Sequence, residues 1–328
     1  MRPFLRFFRL ALLGIAAAAL LTAGNSYAQS FSGKTVRIIV PFAPGGTSDI
    51  LARALANKLG EGLGSTVIVD NKPGANGVLG SDLVAKSAPD GLTLLLSDVG
   101  GLTTGPALGA KYPFDAQKDF APITMIAYSP HLVVVANSVP VKTLAELVAA
   151  SKGKAGGFSA ATSGAGSAPH LAAALFAKRV AVDWVFIPYK GGAQAITDVI
   201  AGHAHILFNG MLATMPAVKA NQLRLLAVSS DTRWPTLPDV PTVAESGYPG
   251  FITGSWQGLL AAANTPSDIV AKLNAEVVKA LANPEIRERL TSQGADPRPM
   301  TPAQFGDFLK AETTKWIALV KETGIKLE

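Results

Sequence analysis

The sequence predicts an α/β protein whose short parallel strands are covered by helices on both faces. Largely apolar runs at 36–40, 66–69 and 92–96 have the length of buried strands. Between the first two runs, apolar residues recur at helical spacing over 50–59. Strands that alternate with helices are typical of parallel sheets, which bury both faces.

The composition supports a folded protein and excludes several classes. Of the 328 residues, 48% are hydrophobic and 16% are charged, whereas an average globular protein has roughly 25% charged residues. Because the chain contains no cysteine, disulfides, Cys-ligated metals and thiol catalysis are excluded. Half of the formal charge of +6 comes from three arginines in the first nine residues. The rest of the chain therefore gives little support to a nucleic-acid partner.

Residues 1–28 have the pattern of a secretory signal peptide. The three arginines precede an apolar run at 10–24, and small residues at 26 and 28 suit cleavage before Gln29. A membrane anchor is the alternative, but this run is shorter than the ~20 residues that a spanning helix needs. We therefore expect export, and the lack of cysteine suits a bacterial periplasm.

A second α/β series follows residue 137. Its predicted helices lie at 144–150, 171–176 and 193–201, and its predicted strands lie at 158–161, 184–187, 206–208 and 224–228. The chain then returns through a strand at 258–262 to two helices, one that begins near 266 and one that spans 305–319. Two lobes connected near 131–135 and 254–262 fit this order. A single large sheet fits it equally well.

Three strand-to-helix loops are rich in glycine, at 41–49, 162–170 and 188–192. Ligands gather at the carboxyl ends of parallel strands, and helix N-termini attract anions. Glycine lets the backbone approach a ligand closely. Two such loops that face each other could hold a small carboxylate, although ordinary capped turns would look the same.

Enzyme signatures are weak. The sequence has neither G-x-S-x-G nor H-E-x-x-H, and no motif pairs a nucleophile with a base. His203 and His205 could share one face of a strand, but no third metal ligand accompanies them. We therefore expect no catalytic residues, no metal and no cofactor.

Longer motifs resemble a known family. They are P-F-A-P-G-G-T-S-D at 41–49, V-D-N-K-P-G-A-N-G at 69–77, T-S-G-A-G-S-A-P-H-L at 162–171, Y-K-G-G-A-Q-A at 189–195 and L-P-D-V-P-T-V-A-E-S-G at 237–247. Over essentially the whole chain after residue 28, the sequence is similar to the Bug receptors. These are the periplasmic solute-binding proteins of tripartite tricarboxylate transporters. The resemblance implies a type II periplasmic-binding-protein fold, with two αβ lobes joined by a two-segment hinge. Lobe 1 would comprise 29–137 and 251–328, and lobe 2 would comprise 138–250.

The resemblance also implies a carboxylate held mainly by backbone and hydroxyl donors of the loops at 41–49 and 162–170. The ligand-binding positions that it carries over are Pro41, Phe42, Gly45, Gly46, Thr47, Asp49, Ser97, Ser163, Gly166, Ser167, His170, Gly191 and Gly192. By position, Asn209 and Trp256 should also face the cleft. Asp98 departs from the family pattern and adds a negative charge there. A ligand whose ammonium or hydroxyl group pairs with Asp98 or Asp49 would be an amino acid or a hydroxy acid.

The expected function is that of a non-enzymatic periplasmic receptor for a small organic anion. Mono- and dicarboxylates are the expected ligands, aromatic acids and amino acids included, and membrane permease subunits are the expected partners. A ligand sensor for a membrane signalling protein is the alternative, and a secreted hydrolase or transferase is a weaker one. We expect a monomer that binds no nucleic acid, because lobe closure requires no second copy.

Overall fold

A computed structural model of the chain describes residues 31–109, 111–152 and 157–323. The predicted signal peptide, residues 1–28, lies outside the described residues. Ten strands of the described chain form one hydrogen-bonded sheet. The strands are β1 (Thr35–Val40), β2 (Thr66–Asn71), β3 (Thr93–Asp98), β4 (Phe120–Ala136), β5 (Ser159–Thr162), β6 (Val185–Pro188), β7 (Ile206–Gly210), β8 (Leu223–Val228), β9 (Gly254–Ala262) and β10 (Asp296–Pro297).

Helices cover the sheet and connect most of its strands. They are α1 (Thr47–Leu63), α2 (Val78–Ala85), α3 (Leu144–Ser151), α4 (Ala168–Arg179), α5 (Gly192–Ile200), α6 (Met211–Lys219), α7 (Ser267–Ala282), α8 (Pro284–Ser292) and α9 (Pro302–Thr323). A π-helical turn, Gly100–Thr104, and a single helical turn, Gly105–Ala107, follow β3. Within the ranges described, no helix is long and apolar enough to cross a membrane.

The first part of the sheet has the parallel core that the sequence predicts. β1 pairs in parallel with β2 and β3, and β9 then pairs antiparallel with β3. α1 lies against this part because Leu51, Leu55 and Leu59 recur every four residues and are buried. These leucines pack in one cluster with the apolar residues of β1, β3 and α7.

The second part of the sheet repeats this construction around its own core. β5 pairs in parallel with β6 and β7, and α4 packs against them. Phe176 of α4 stacks on Trp184 and contacts Phe208 of β7. Because these aromatic side chains are buried away from the first cluster, each part of the sheet has its own apolar interior.

β4 joins the two parts. Its first stretch, Phe120–Pro130, pairs with β9, and its last stretch, His131–Ala136, pairs with β7 and β8. The fold therefore combines the two arrangements that the sequence left open. It has two α/β parts, and one sheet runs through both.

A buried histidine lies where β4 passes from one part to the other. The ring of His131 places Nδ1 3.1 Å from Thr253 Oγ1 and Nε2 3.0 Å from Ser255 Oγ. Ser229 Oγ donates to the His131 carbonyl oxygen at 3.0 Å. Burial lowers the pKa of His131 to about 3, so the imidazole stays neutral and ties the crossing segments together by hydrogen bonds alone.

Candidate functional site

A small pocket of about 30 Å³ lies between the two parts of the sheet. We call it the central pocket. Its lining comes from the N-terminal ends of α1, α4 and α5, from the loops before α1 and α4, from the end of β7 that leads into α6, and from β3 and β9. The lining residues are Phe42, Gly46, Thr47, Ser48, Asp98, Ser163, Pro169, Gly192, Asn209, Gly210, Ser255 and Gln257. Among these described residues, none is a lysine, an arginine or a histidine.

Three of the four helices begin with a glycine cap. Gly46 precedes α1, Gly191 precedes α5 and Gly210 precedes α6, and none of these N-caps has a side-chain hydrogen bond. The first N–H groups of a helix lack partners within it, and the helix dipole places a partial positive charge there. The central pocket is therefore suited to an anion that accepts hydrogen bonds from the main chain.

The fourth helix, α4, uses its own cap. Ser167 Oγ accepts from the backbone N–H of His170 at 3.3 Å. The His170 ring accepts through Nδ1 from the Gly166 N–H at 2.9 Å, and it packs edge-on against Phe186. These contacts fix the loop before α4. Ser163 of this loop and Pro169 in the first turn of α4 line the pocket.

Glycine is required where the parts of the sheet approach each other. A Cβ atom at Gly191 would lie 3.2 Å from the Ala43 nitrogen of the first part. Within the second part, a Cβ atom at Gly192 would lie 2.8 Å from Asn209 Oδ1. The Ala43 N–H also donates to the Lys190 carbonyl oxygen at 3.2 Å. The loop before α1 and the loop before α5 are thus in direct contact, so the central pocket is closed on this side.

Asp49 holds the loop before α1 in shape. Its carboxylate accepts from the Gly45 N–H at 2.9 Å, from Arg53 Nε at 3.0 Å and from Asn71 Nδ2 at 3.0 Å. Burial alone would raise the pKa of Asp49, but the hydrogen bonds from Arg53, Gly45 and Asn71 outweigh burial and lower it. Asp49 is therefore an ionised brace of this loop.

Asp98 and Gln257 give the pocket an acceptor wall. They are direct partners in the antiparallel register of β3 and β9. Asp98 Oδ1 accepts from the Gly100 N–H at 2.8 Å. Burial raises the pKa of Asp98 to about 7, although the Gly100 hydrogen bond acts in the opposite direction. Gln257 is 1% exposed, and its Oε1 has no hydrogen-bond partner in the described structure.

Asn209 and Ser163 lie beside the glycine caps. Asn209 Oδ1 accepts from Ser163 Oγ at 3.0 Å, and its Nδ2 donates to Thr214 Oγ1 at 3.1 Å. A wider cavity of about 440 Å³ shares Phe42 and Ser163 with the central pocket. Lys111 and Lys190 also line this wider cavity, so positive charge is present in the cavity next to the central pocket.

The structure brings many of the predicted ligand-binding residues together. Those that line the central pocket are Phe42, Gly46, Thr47, Asp98, Ser163, Gly192 and Asn209. Pro41 lines the wider cavity. The remaining predicted residues of the loops are Gly45, Asp49, Gly166, Ser167, His170 and Gly191, and they shape the loops without lining the pocket. Ser97 is buried in β3, and its Oγ has no hydrogen-bond partner in the described chain.

Trp256, which we expected to face the cleft, does not line the central pocket. Its ring packs edge-on against Phe305 and Phe308, and its indole N–H donates to Glu312 at 3.3 Å. Successive side chains of a strand point to opposite faces, so the flanking residues Ser255 and Gln257 line the pocket instead. The alternating side-chain direction along β9 is the sequence feature that identifies Ser255 and Gln257. Ser48 and Pro169, which belong to the predicted loops at 41–49 and 162–170, also line the pocket, as does Gly210, which the sequence did not indicate.

Comparison with known proteins agrees with this architecture. Residues 51–325 match the model of the tripartite tricarboxylate transporter family receptor. BugT of Bordetella pertussis is 36% identical over 320 residues, which are 97% of this chain and 98% of BugT. Among solved structures, an R. palustris protein with adipate has a TM-score of 0.87 at 32% identity and covers 92% of this chain and 99% of its own.

A second similar structure is MatC from Rhodopseudomonas palustris with bound malate. Its TM-score is 0.84 at 33% identity, over 88% of this chain and 99% of MatC. The predicted periplasmic-binding-protein fold is thereby confirmed. From the family model and from BugT we conclude that the chain belongs to the tripartite tricarboxylate transporter receptor family, whose members are periplasmic solute-binding receptors and not enzymes.

Proposed function

We propose that this receptor captures a small organic anion, a mono- or dicarboxylate, in the central pocket and delivers it to the permease subunits of a tripartite tricarboxylate-type transporter. The observation that supports the proposal is the convergence of three glycine-capped helix N-termini on one pocket. Each N-terminus carries about half a positive charge, so together they favour a carboxylate without any cationic side chain. The adipate and malate in two similar structures support the same ligand class.

We further propose that binding requires the two lobes to open and close. A pocket of about 30 Å³ has room for roughly one water molecule, and a dicarboxylate is larger. Lobe 1 would comprise 29–137 and 251–328, and lobe 2 would comprise 138–250. The contact between Ala43 and Lys190 would break in the open state and form again around the ligand. X-ray scattering should then give a smaller radius of gyration when ligand is added.

Calorimetric titration of the purified protein, after expression of the full chain, tests the ligand class. The panel contains succinate, malate, adipate, benzoate and glutamate. At least one carboxylate should bind, and Thr47→Val should weaken that binding because Thr47 at the start of α1 loses its hydroxyl donor. The exposed Thr314→Val in α9 removes the same group far from the pocket and is the control. Failure of every anion to bind would refute the proposal.

Export and delivery are separate parts of the proposal. Residues 1–28 would direct export and be removed before Gln29, and N-terminal sequencing of the periplasmic protein tests this cleavage. Delivery is tested by uptake of the identified carboxylate in cells that lack this receptor. Uptake of the carboxylate should fall in these cells and should be restored when the receptor gene is reintroduced. Unchanged uptake would favour a sensing role instead.

Sedimentation of the purified protein tests the expected monomer.

A further inference from the structure

We infer that the physiological ligand carries a protonated amine beside its carboxylate, and that Asp98 and Gln257 receive this amine. This inference rests on the proposed function, because it assigns a second recognition element to the same pocket. The glycine-capped helix N-termini would bind the carboxylate. The acceptor wall of β3 and β9 would bind the amine.

Gln257 supplies the first observation. Its side chain is 1% exposed and lines the central pocket, yet Oε1 has no hydrogen-bond partner in the described structure. A buried acceptor without a partner is costly, so proteins rarely leave one in place. A donor on the ligand would remove this cost only when the ligand is bound.

Asp98 supplies the second observation. Only Oδ1 is engaged, by the Gly100 N–H, and no cation of the described chain forms an ion pair with this carboxylate. Among the described titratable side chains, Tyr112 is the one whose pKa is affected by the charge of Asp98. Burial and the charge of Asp98 raise the pKa of Tyr112 to about 12, so it remains neutral. When Asp98 is ionised, no cation of the described chain balances its charge, and a ligand ammonium would supply one.

The geometry allows one amine to contact both residues. Asp98 and Gln257 are directly paired across β3 and β9, and the Cβ atoms of such a pair lie about 4.5–5.5 Å apart. An ammonium has three donors, which is enough to bridge a carboxylate and an amide oxygen. A hydroxyl group has one proton and no charge, so it would satisfy one acceptor at most and leave Asp98 unbalanced.

Matched ligands test the inference. Calorimetry at about pH 8 compares succinate with L-malate and L-aspartate, and glutarate with 2-hydroxyglutarate and L-glutamate. These sets keep the carbon skeleton and change a single substituent. For the native protein, we expect the amino acid of each set to bind at least about tenfold more tightly than the unsubstituted diacid. The hydroxy acid of each set should have an intermediate affinity.

Variants at the acceptor wall separate this role from general effects. Asp98→Asn should abolish the preference for the amino member, and Gln257→Met should reduce it. Asp239→Asn removes the same charge from an exposed loop and should keep the preference. If Asp98→Asn does not fold, the native protein still provides a test, because its affinity for the amino member should rise between about pH 6 and pH 8 as Asp98 ionises.

The possible results distinguish the inference from the proposed function. Equal or tighter binding of succinate and glutarate would overturn the inference and leave carboxylate capture intact. An unchanged preference in Asp98→Asn would also overturn it. Failure of all six ligands to bind, together with the rest of the carboxylate panel, would overturn both.

Discussion

Gly210, at the end of β7, lies directly against the hydroxyl group of Thr47, the first residue of α1. Because α1 packs on the other part of the sheet, the two residues come from different parts. A Cβ atom at Gly210 would be 2.8 Å from Thr47 Oγ1, closer than nonbonded atoms normally approach. The N-terminal ends of α1 and α6 therefore meet at a point where only a glycine allows the present distance. This contact couples the closed arrangement to the shape of the central pocket.

We predict that Gly210→Ala weakens ligand binding about tenfold, or ~1.4 kcal/mol, because the added methyl group holds Thr47 away. The φ of −53° at Gly210 suits alanine, so the fold should survive. Calorimetry measures the affinity, and X-ray scattering should show incomplete closure with ligand. Gly306→Ala in α9 is the matched control, since its Cβ would meet Pro122 Cγ at an ordinary 3.6 Å. Native affinity in Gly210→Ala would contradict the prediction.

Asp49→Asn should destabilise the protein by about 1–3 kcal/mol, because the loop before α1 loses a buried charged acceptor. The pKa of Asp49 is lowered in the fold. The stability that Asp49 contributes is thus present above the pKa of the unfolded chain and lost as the pH falls below it. Urea unfolding at neutral and acidic pH measures both effects.

The control for Asp49 is Asp307→Asn, which removes an acid from the exposed Lys310 pair of α9. Surface pairs contribute about 0–1 kcal/mol, so this variant should lose little. Equal losses in the two variants would show that Asp49 is no more than another surface charge.

His131 should make the fold sensitive to acid. Its pKa is about 3 in the fold and about 6.5 in an unfolded chain, so the unfolded state takes up the proton first. Stability should fall as the pH drops from about 6.5 towards 3, by up to ~1.4 kcal/mol per pH unit. His131→Gln should flatten this dependence in thermal unfolding. His203→Gln, at an exposed side chain, should leave it unchanged, and an equal flattening in both would refute the prediction.

Asp98 should have the opposite pH dependence. Its pKa is raised from 3.8 to about 7 in the fold, so its contribution is fully present below the unfolded value and is lost as the pH rises to about 7. Asp98→Asn should therefore raise the melting temperature at about pH 8 and change it little at about pH 4. A similar gain at both pH values would contradict ionisation as the cause.

Local sequence patterns predict a site residue correctly where its neighbours along the chain also determine its place in the fold. The loop before α1 has a strand before it, a helical repeat after it and glycines between, and the structure places Gly46 and Thr47 in the pocket. Asp49 lies in the same glycine-rich loop, so its local sequence is that of a residue that contacts the ligand. Only the distant Asn71 and the neighbouring Arg53 reveal that its carboxylate braces the loop.

Of the long strand β4, the sequence identifies only 131–135, as a segment that connects the two lobes. Pro122 and Pro130 lie within it, and proline normally marks an edge or an irregular position of a strand. The structure accommodates Pro122 beside a register shift against β9, whereas Pro130 pairs with Gly254 near the end of that ladder. Such pairing depends on β9, which is more than a hundred residues away in the sequence, so local periodicity does not reveal it.

The glycine caps have a consequence for how such receptors diversify. A backbone amide is present at every position except proline, so the proposed hold on a carboxylate would survive changes in the other side chains of the pocket, provided that the glycine caps themselves are kept. Selectivity, in contrast, would depend on the side chains at positions 98 and 257. One or two substitutions at these positions would then change which ligand is preferred, while the proposed main-chain contacts to the acid group would stay in place.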